Sequence, residues 1–277
     1  MPELPEVETV VRALRPALSG RRIRELELHH PRVSRHSNPE FLSSVCKGAT
    51  IETLERRGKF ILFQLKNKPQ LAVHLRMSGQ LLLSEKPLDS PHIRATFHLD
   101  KGPNLYFVDI RTFGTIFLVD GSEPKGFRSL GIEPLSSGFT VKSFRSLLEN
   151  RSTPIKTFLL MQERIAGIGN IYASEALWRA KIDPRTSAGD LSSHAIKRLH
   201  ESLIQVLKDA VEQMGTTLSD FRRPDGEPGR YGNKLNVYGR EEEPCFHCGK
   251  PIQRIVQNGR STFFCPRCQH TPCSRRG

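Results

Sequence analysis

Two periodicities run along this chain, and the change from one to the other divides it. Over residues 5–19, Val7, Val10, Val11, Leu14 and Leu18 recur at intervals of three and four, the spacing of one face of an amphipathic helix. Pro5 suits a first helical turn, where its missing N–H is no loss, and Gly20 suits a stop. Glu6 and Glu8 fall in the first turn, where the helix dipole favours acids. From 21 to 120 the apolar runs shorten to strand length, at 23–28, 50–54, 60–65, 71–75, 80–83, 95–99, 105–108 and 115–119. Gly, Pro and Asn punctuate them at the rhythm of an all-β sandwich or barrel. Beyond Leu130-Gly131-Ile132-Glu133-Pro134 the helical period returns, predicting helices over 140–149, 153–161, 170–180 and 190–214. The last carries Leu199, Leu203, Val206, Leu207, Ala210, Val211 and Met214 on one face. The expected class is therefore α+β in two domains, cut near Pro134, with a loop at Asp225-Gly226-Glu227-Pro228-Gly229 and a small module from 241 onward. The expected boundaries are 1–134, 135–240 and 241–277.

Composition sharpens the picture. At 37% hydrophobic residues over 277 positions the chain is globular rather than disordered. No stretch approaches the roughly 18 apolar residues of a spanning helix, so no membrane partner is expected. Met1-Pro2-Glu3-Leu4-Pro5-Glu6 has neither the basic start nor the apolar run of a secretory signal, which leaves the cytoplasm as the expected compartment. The net charge of +13 and a pI near 9.8 favour a polyanion partner. The charge is clustered: Arg21, Arg22 and Arg24 lie together, as do Arg56, Arg57 and Lys59, and from Cys245 to the end there are six Lys/Arg and no acid. Clustering of one sign separates nucleic-acid binding from a mixed, solubilising surface.

The sharpest local signal is Cys245-Phe-His-Cys248, sixteen residues, then Cys265-Pro-Arg-Cys268. Two such pairs in a reducing compartment match a structural four-thiolate zinc site better than disulfides, although His247 offers an alternative ligand. Asn258-Gly259 between the pairs predicts a two-residue hairpin turn with Arg260 beside its tip, an arginine suited to phosphate. A closed set of four thiolates leaves no open position, so one zinc ion serves stability. Cys46 and Cys273 are expected to be free thiols.

At the other end, removal of Met1 would expose the secondary amine of Pro2. At a pKa of about 8, roughly a tenth of it is neutral at pH 7 and able to attack a sugar carbon, with Glu3 beside it to pass protons. Helix physics alone also explains Pro and Glu here. Gly167-Ile-Gly169-Asn170 predicts a glycine-rich helix entry with Asn170 as N-cap, a place where phosphate can approach backbone amides. Arg56-Arg57-Gly58-Lys59, His74-Leu-Arg76-Met77-Ser78-Gly79 and Asp109-Ile-Arg111-Thr-Phe113-Gly114 are, one at a time, ordinary hairpin or core residues.

In order along the chain, Pro2-Glu3-Leu4-Pro5-Glu6, the Lys59 segment, the Met77 and Arg111/Phe113 segments, Gly-Ile-Gly-Asn170-Ile-Tyr-Ala-Ser-Glu175, Val237-Tyr238-Gly239-Arg240 and the cysteine hairpin resemble the formamidopyrimidine-DNA glycosylase family over nearly the whole length. That resemblance implies an N-terminal β-sandwich opened by a helix, then a helical domain with a helix–two-turn–helix and a zinc-ribbon hairpin, DNA lying between the domains. It implies excision of oxidised purines from damaged double-stranded DNA, with the base flipped out of the stack, followed by β,δ-elimination at the abasic site. Pro2 is then the nucleophile, Glu3 the proton-transfer residue and Glu6 a supporting carboxylate; Lys59 and Arg260 join the catalytic set by contacting phosphates near the lesion. Met77, Arg111 and Phe113 fill the vacated gap, where Met and Phe wedge and Arg reads the orphaned cytosine. His74, Asn170 and Tyr238 hold backbone phosphates, Lys156 lies near the damaged nucleotide, and the stretch from Gly215 to Tyr231 closes over the flipped base. The resemblance implies a monomer with no nucleotide cofactor. Rival readings are a pyrimidine-excising endonuclease VIII relative, an inactive zinc-stabilised DNA-binding protein and an RNA-binding zinc ribbon; Leu4 and the Arg111/Phe113 pair favour the purine branch.

Overall fold

The computed structural model describes residues 2–218 and 221–270. Within these, the chain forms two compact units: residues 2–128 with 213–232, and residues 129–212 with 233–270. Cys273 lies outside the described residues.

The first unit opens with α1 (Leu4–Leu18), whose face of Val7, Val10, Val11, Leu14 and Leu18 is fully buried. Then come β1 (Ile23–Leu28), α2 (Pro39–Cys46), β2 (Ile51–Arg57), β3 (Phe60–Leu65), β4 (Gln70–His74), β5 (Gly79–Ser84), β6 (Ile93–Leu99), β7 (Asn104–Asp109), β8 (Thr115–Val119) and a short turn of helix, α3 (Lys125–Arg128). Two four-stranded antiparallel sheets result, ordered β1-β6-β7-β5 and β2-β3-β4-β8. Alternate residues of both sheets meet with α1 in one apolar core, where Phe63 of one sheet and Phe97 of the other stack at 5.7 Å. This is the expected sandwich with its opening helix. α2 was not legible from the apolar period. At eight residues it is too short to repeat it, although Asn38 caps it through a bond from the Phe41 amide and Pro39 starts it.

Residues 213–232 pack with this sandwich although they follow the long helix of the second unit. Arg230 N–H and Tyr231 N–H bond the carbonyls of Gln213 and Gly215, and Phe221 enters the sandwich core. Arg223–Gly226 form a turn closed by Gly226 N–H to the Arg223 carbonyl.

The second unit contains α4 (Val141–Leu148), α5 (Ile155–Leu159), α6 (Asn170–Arg179) and α7 (Ser193–Glu212), then the hairpin of β9 (Gln253–Gln257) and β10 (Arg260–Phe264). The apolar stripe of α7 lies against α6 and α4. Asn258 and Gly259 both take positive φ, 47° and 70°, as the two-residue turn requires, and Arg260 pairs with Gln257 across it. No helix among the described residues is long and apolar enough to cross a membrane.

Candidate active site and nucleic-acid contacts

In the first unit, Glu3 caps α1 directly after the buried Pro2. Its backbone N–H donates to Glu6 Oε2 at 2.7 Å, and the Glu3 side chain accepts from the Glu6 backbone N–H, a reciprocal capping box. The other oxygen of Glu6, Oε1, accepts from Thr216 N–H at 2.7 Å. One carboxylate, 1% exposed, thus ties the neighbour of Pro2 to the start of the 213–232 segment. Gly215 is required there. Its φ is +79°, and a Cβ would lie 2.9 Å from Glu6 Oε1.

Lys59 sits in the two-residue turn between β2 and β3, after Gly58 at φ +58°. It is buried at 6% exposure, an unusual setting for lysine that marks a used rather than a solvated ammonium. His74, at the end of β4, is also buried, and its Nδ1 accepts from Arg76 N–H at 2.9 Å. Burial, then the charges of Arg76, Lys59 and Arg35, hold its imidazole well below its ordinary pKa, so it is the neutral ring that accepts.

Met77 and Phe113 project from two turns, 38% and 43% exposed, where large apolar side chains are expected to be covered. The turns share a foundation. Asp109 Oδ1 accepts from Ser78 Oγ at 2.5 Å and from Arg111 N–H at 3.2 Å, while Oδ2 accepts from Gly114 N–H at 2.7 Å. Both turns also rest on Phe107: a Cβ on Gly79 would come within 2.9 Å of its ring and one on Gly114 within 2.3 Å. The residue before each of these two exposed side chains, Arg76 at φ 56° and Thr112 at φ 53°, is held in the left-handed region. The Arg111 guanidinium lies 5.0 Å from the Phe113 ring centre. Two motifs 35 positions apart in sequence, by Met77 and Thr112, therefore form one structure.

In the second unit, four expected contact residues converge on β10. Lys156 Nζ donates to the Ser261 carbonyl at 2.9 Å and to Thr262 Oγ1 at 2.6 Å, and it is 1% exposed. Asn170 Nδ2 donates to the same carbonyl at 2.9 Å and reaches Tyr238 Oη at 3.5 Å. Tyr238 packs edge-on to Phe263, and Arg260 opens the strand, exposed. One sequence expectation changes: Gly169, not Asn170, is the N-cap of α6. The Asn170 amide is thereby free to face the hairpin instead of its own helix. Sequence reasoning also missed Glu175. Its carboxylate, 1% exposed, accepts from the backbone N–H groups of Asn236, Val237 and Tyr238 at 2.9 Å each and from Asn236 Nδ2 at 3.0 Å. It is the member of α6 that seats Tyr238. Its only sequence signal was its place within Asn-Ile-Tyr-Ala-Ser-Glu175.

The four sulfurs of Cys245, Cys248, Cys265 and Cys268 lie within 4.8 Å of one another. Cys245 to Cys268 is 3.9 Å and Cys248 to Cys265 is 3.4 Å, each pair joining the two turns. Zinc–sulfur bonds of about 2.3 Å in a tetrahedron require sulfurs about 3.8 Å apart, so these residues fit one structural zinc ion. His247 is exposed and outside the cluster, which removes it as a ligand. Burial alone would raise the Cys245 thiol. The amides of His247 and Cys248, the indole N–H of Trp178 and the Cys265 thiol outweigh it and pull the thiol down to about 6, while burial and the neighbouring sulfurs raise the thiol of Cys268. Cys46 is buried in the sandwich, which pushes its thiol up to about 12.

Comparison with known proteins agrees with this geometry. Residues 1–116 match the Formamidopyrimidine-DNA glycosylase N-terminal domain, 130–222 the Formamidopyrimidine-DNA glycosylase H2TH domain, and 242–271 the zinc finger found in FPG and IleRS. The chain is 45% identical over 276 residues to a formamidopyrimidine-DNA glycosylase of Symbiobacterium thermophilum, covering 98% of this chain and 90% of that protein. It is 42% identical to the one of Desulforamulus reducens, covering 97% and 99%. Among solved structures it resembles the MutM (Fpg) protein of Thermus thermophilus, at a TM-score of 0.87 and 42% identity over 97% of this chain and 98% of that one. It also resembles a Lactococcus lactis Fpg mutant solved in complex with a Fapy-dG containing DNA, at 0.88 and 36% over 97% and 100%.

Proposed function

The chain belongs to the formamidopyrimidine-DNA glycosylase family, and on that premise we propose that it excises oxidised purines, 8-oxoguanine and formamidopyrimidines, from duplex DNA and then cuts the strand at the resulting abasic site. The observation that carries this reading is the Pro2–Glu3–Glu6 arrangement. The buried Pro2 adjoins a buried glutamate, and the glutamate is fixed through Glu6 to the segment beginning at Thr216.

With Met1 removed, the neutral Pro2 amine attacks the sugar C1′. The N–C1′ bond forms, the glycosidic bond breaks, and the base leaves carrying a proton. The amine proton is lost as the sugar ring opens, C1′–O4′ giving way to an iminium and a 4′ hydroxyl. Loss of a C2′ proton then expels the 3′ phosphate, a second elimination expels the 5′ phosphate, and water releases the sugar remnant from Pro2. Glu3 is the group beside Pro2 able to shuttle these protons. Met77 and Phe113 take the space of the flipped nucleotide and Arg111 pairs with the base left behind. Lys59, His74 and, in the second unit, Arg260, Asn170 and Tyr238 hold phosphates. Lys156 supports them from beneath, since its ammonium is buried against β10. The zinc ion keeps the hairpin that carries Arg260 in shape.

Borohydride trapping on a duplex carrying 8-oxoguanine opposite cytosine, with peptide mapping, tests the reading. An adduct on Pro2 is expected. Absence of any adduct from zinc-loaded protein shown to lack Met1 overturns it.

A further inference from the structure

In the first unit, a cavity of about 490 Å³ lies beside the two wedge turns, lined by Arg32, Arg35, Arg76, Met77, Thr112 and Phe113. Three of its six lining residues are arginines, and none of the three forms an ion pair among the described residues. The carboxylate whose charge reaches Arg35 is Asp109, and its oxygens are already engaged by Ser78, Arg111 and Gly114. Arg35 is pinned by neutral acceptors only. Its Nη1 donates to the Arg32 carbonyl at 3.1 Å and its Nη2 to the Phe113 carbonyl at 2.6 Å. A guanidinium has five N–H donors, so Arg35 keeps donors for a further acceptor while it ties the 3₁₀ turn Pro31–Ser34 to the Phe113 turn. Arg76 adjoins Met77 in the left-handed conformation described above and lines the same cavity.

The crowding of these cations is visible in their mutual effects. Burial first and the charge of Arg32 next lower the pKa of Arg35; burial and Arg35 lower that of Arg76; burial, Arg35 and Arg76 lower that of His36. A fold keeps three uncompensated guanidinium groups together at a standing cost in repulsion, which an arriving anion relieves. The anion must also tolerate the apolar side of the cavity, where Met77 and Phe113 present carbon. A sugar–phosphate does this: its phosphodiester suits the planar donors of arginine and its deoxyribose suits the wedge side chains.

We propose that Arg32, Arg35 and Arg76 form a cage for one DNA backbone phosphodiester flanking the wedge, a phosphate site separate from those of Lys59, His74 and the zinc hairpin. It rests on the proposed function for its ligand, since Met77 and Phe113 bring the cavity to DNA only if they enter the stack. The phosphate belongs either to the damaged strand or to the strand opposite.

The test is equilibrium binding of the zinc-loaded protein to a short duplex carrying a reduced abasic-site analogue, measured across salt concentrations. R32Q and R76Q, both at exposed positions, should each lower the slope of log K against log salt by about 0.9, the value of one neutralised phosphate. A scan replacing single phosphates by methylphosphonates should find one position whose loss weakens wild type but leaves R76Q unchanged. The strand holding that position identifies the source. Wild-type slopes in both variants overturn the cage, as does a scan in which every methylphosphonate loss adds fully to that of R76Q. The proposed function is read separately, by the covalent trap on Pro2. A wild type that traps while the variants keep its slope loses the cage alone; variants of reduced slope in a protein that never traps retain the cage as a nucleic-acid site.

Discussion

Replacing Glu175 by glutamine tests whether the grip of α6 on residues 236–238 is as strong as its geometry implies. Glu175 Oε1 accepts from Val237 and Tyr238, and Oε2 from both nitrogens of Asn236. Glutamine keeps the shape, but one oxygen becomes an NH₂ that faces two N–H donors, so two of the four bonds are lost whichever way the amide turns. Hydrogen bonds to an ionised, buried acceptor contribute about 1.5–3 kcal/mol each. The two that remain weaken with loss of the charge, so E175Q should cost the second unit about 3–6 kcal/mol, in line with breaking a buried charged network. For a unit of this size that is a fall in Tm of about 10–20 °C. Calorimetry reads the melting and hydrogen exchange reads the amides of Asn236, Val237 and Tyr238, which should lose protection together. DNA affinity should fall with them, because Tyr238 Oη and Asn170 meet only while that segment is seated. A variant that melts within a degree of wild type with these three amides still protected refutes the argument, and would mean that tertiary packing rather than the carboxylate holds the segment.

Trp178, the single tryptophan, packs against the cysteine cluster, and its buried indole N–H, which has no other hydrogen-bond partner among the described residues, lowers the pKa of the Cys245 thiol. Chelating the zinc should therefore change the intrinsic fluorescence, and W178F, which keeps a ring but not the N–H, should release zinc to a competing chelator about tenfold faster; an unchanged release rate removes the N–H from the site. The depressed pKa of His74 has a definite sign: the unfolded ring takes up a proton near pH 6.5 before the folded one does, so stability is greatest above that pH and falls as the solution is acidified below it. H74Q should flatten this part of the stability–pH curve, and an unaltered curve assigns the titration elsewhere. Gly114→Ala drives a methyl to within 2.3 Å of the Phe107 ring and should destabilise the first unit by about 1–3 kcal/mol; Phe107→Leu in the same chain should recover part of it, and a G114A protein of wild-type Tm contradicts the close approach.

The long helix α7 and the opening helix α1 were legible because each has a water-facing side, which imposes the 3.6-residue period, whereas β3, β4 and β8, buried on both faces, were legible as short apolar runs between turn residues. The zinc hairpin was legible for a different reason: metal spacing and Asn258-Gly259 are local chemistry that no distant residue alters. What escaped is non-local. That residues 213–232 turn back to the sandwich depends on Thr216 N–H finding Glu6, 210 positions away. Asn170 reads as a cap by type, yet it faces β10 because Gly169, with no side chain, already caps the helix. The wedge residues are individually unremarkable in sequence. Their shared dependence on Asp109 and Phe107 appears only when β5 and β7 pair, with Gly79 opposite Asp109.

Three of the residues that organise the site are carboxylates that sequence logic sends to the surface, and each is 1% exposed: Glu6, Asp109 and Glu175. The donors shown on each are backbone amides, joined by one serine hydroxyl and one asparagine amide, and each gathers amides of a loop onto a rigid helix or strand. The choice has an electrostatic logic in a chain of net charge +13. A loop that presents a wedge or a tyrosine to DNA can be anchored by exposed ion pairs, but those neutralise the cations that phosphates are to meet and weaken with salt. A carboxylate buried among N–H donors anchors the loop just as firmly and leaves the surface cations uncompensated. These three acids are thus placed where they shape the contact surface without repelling its partner, and Arg32, Arg35 and Arg76, which form no ion pair among the described residues, are the other half of the same arrangement.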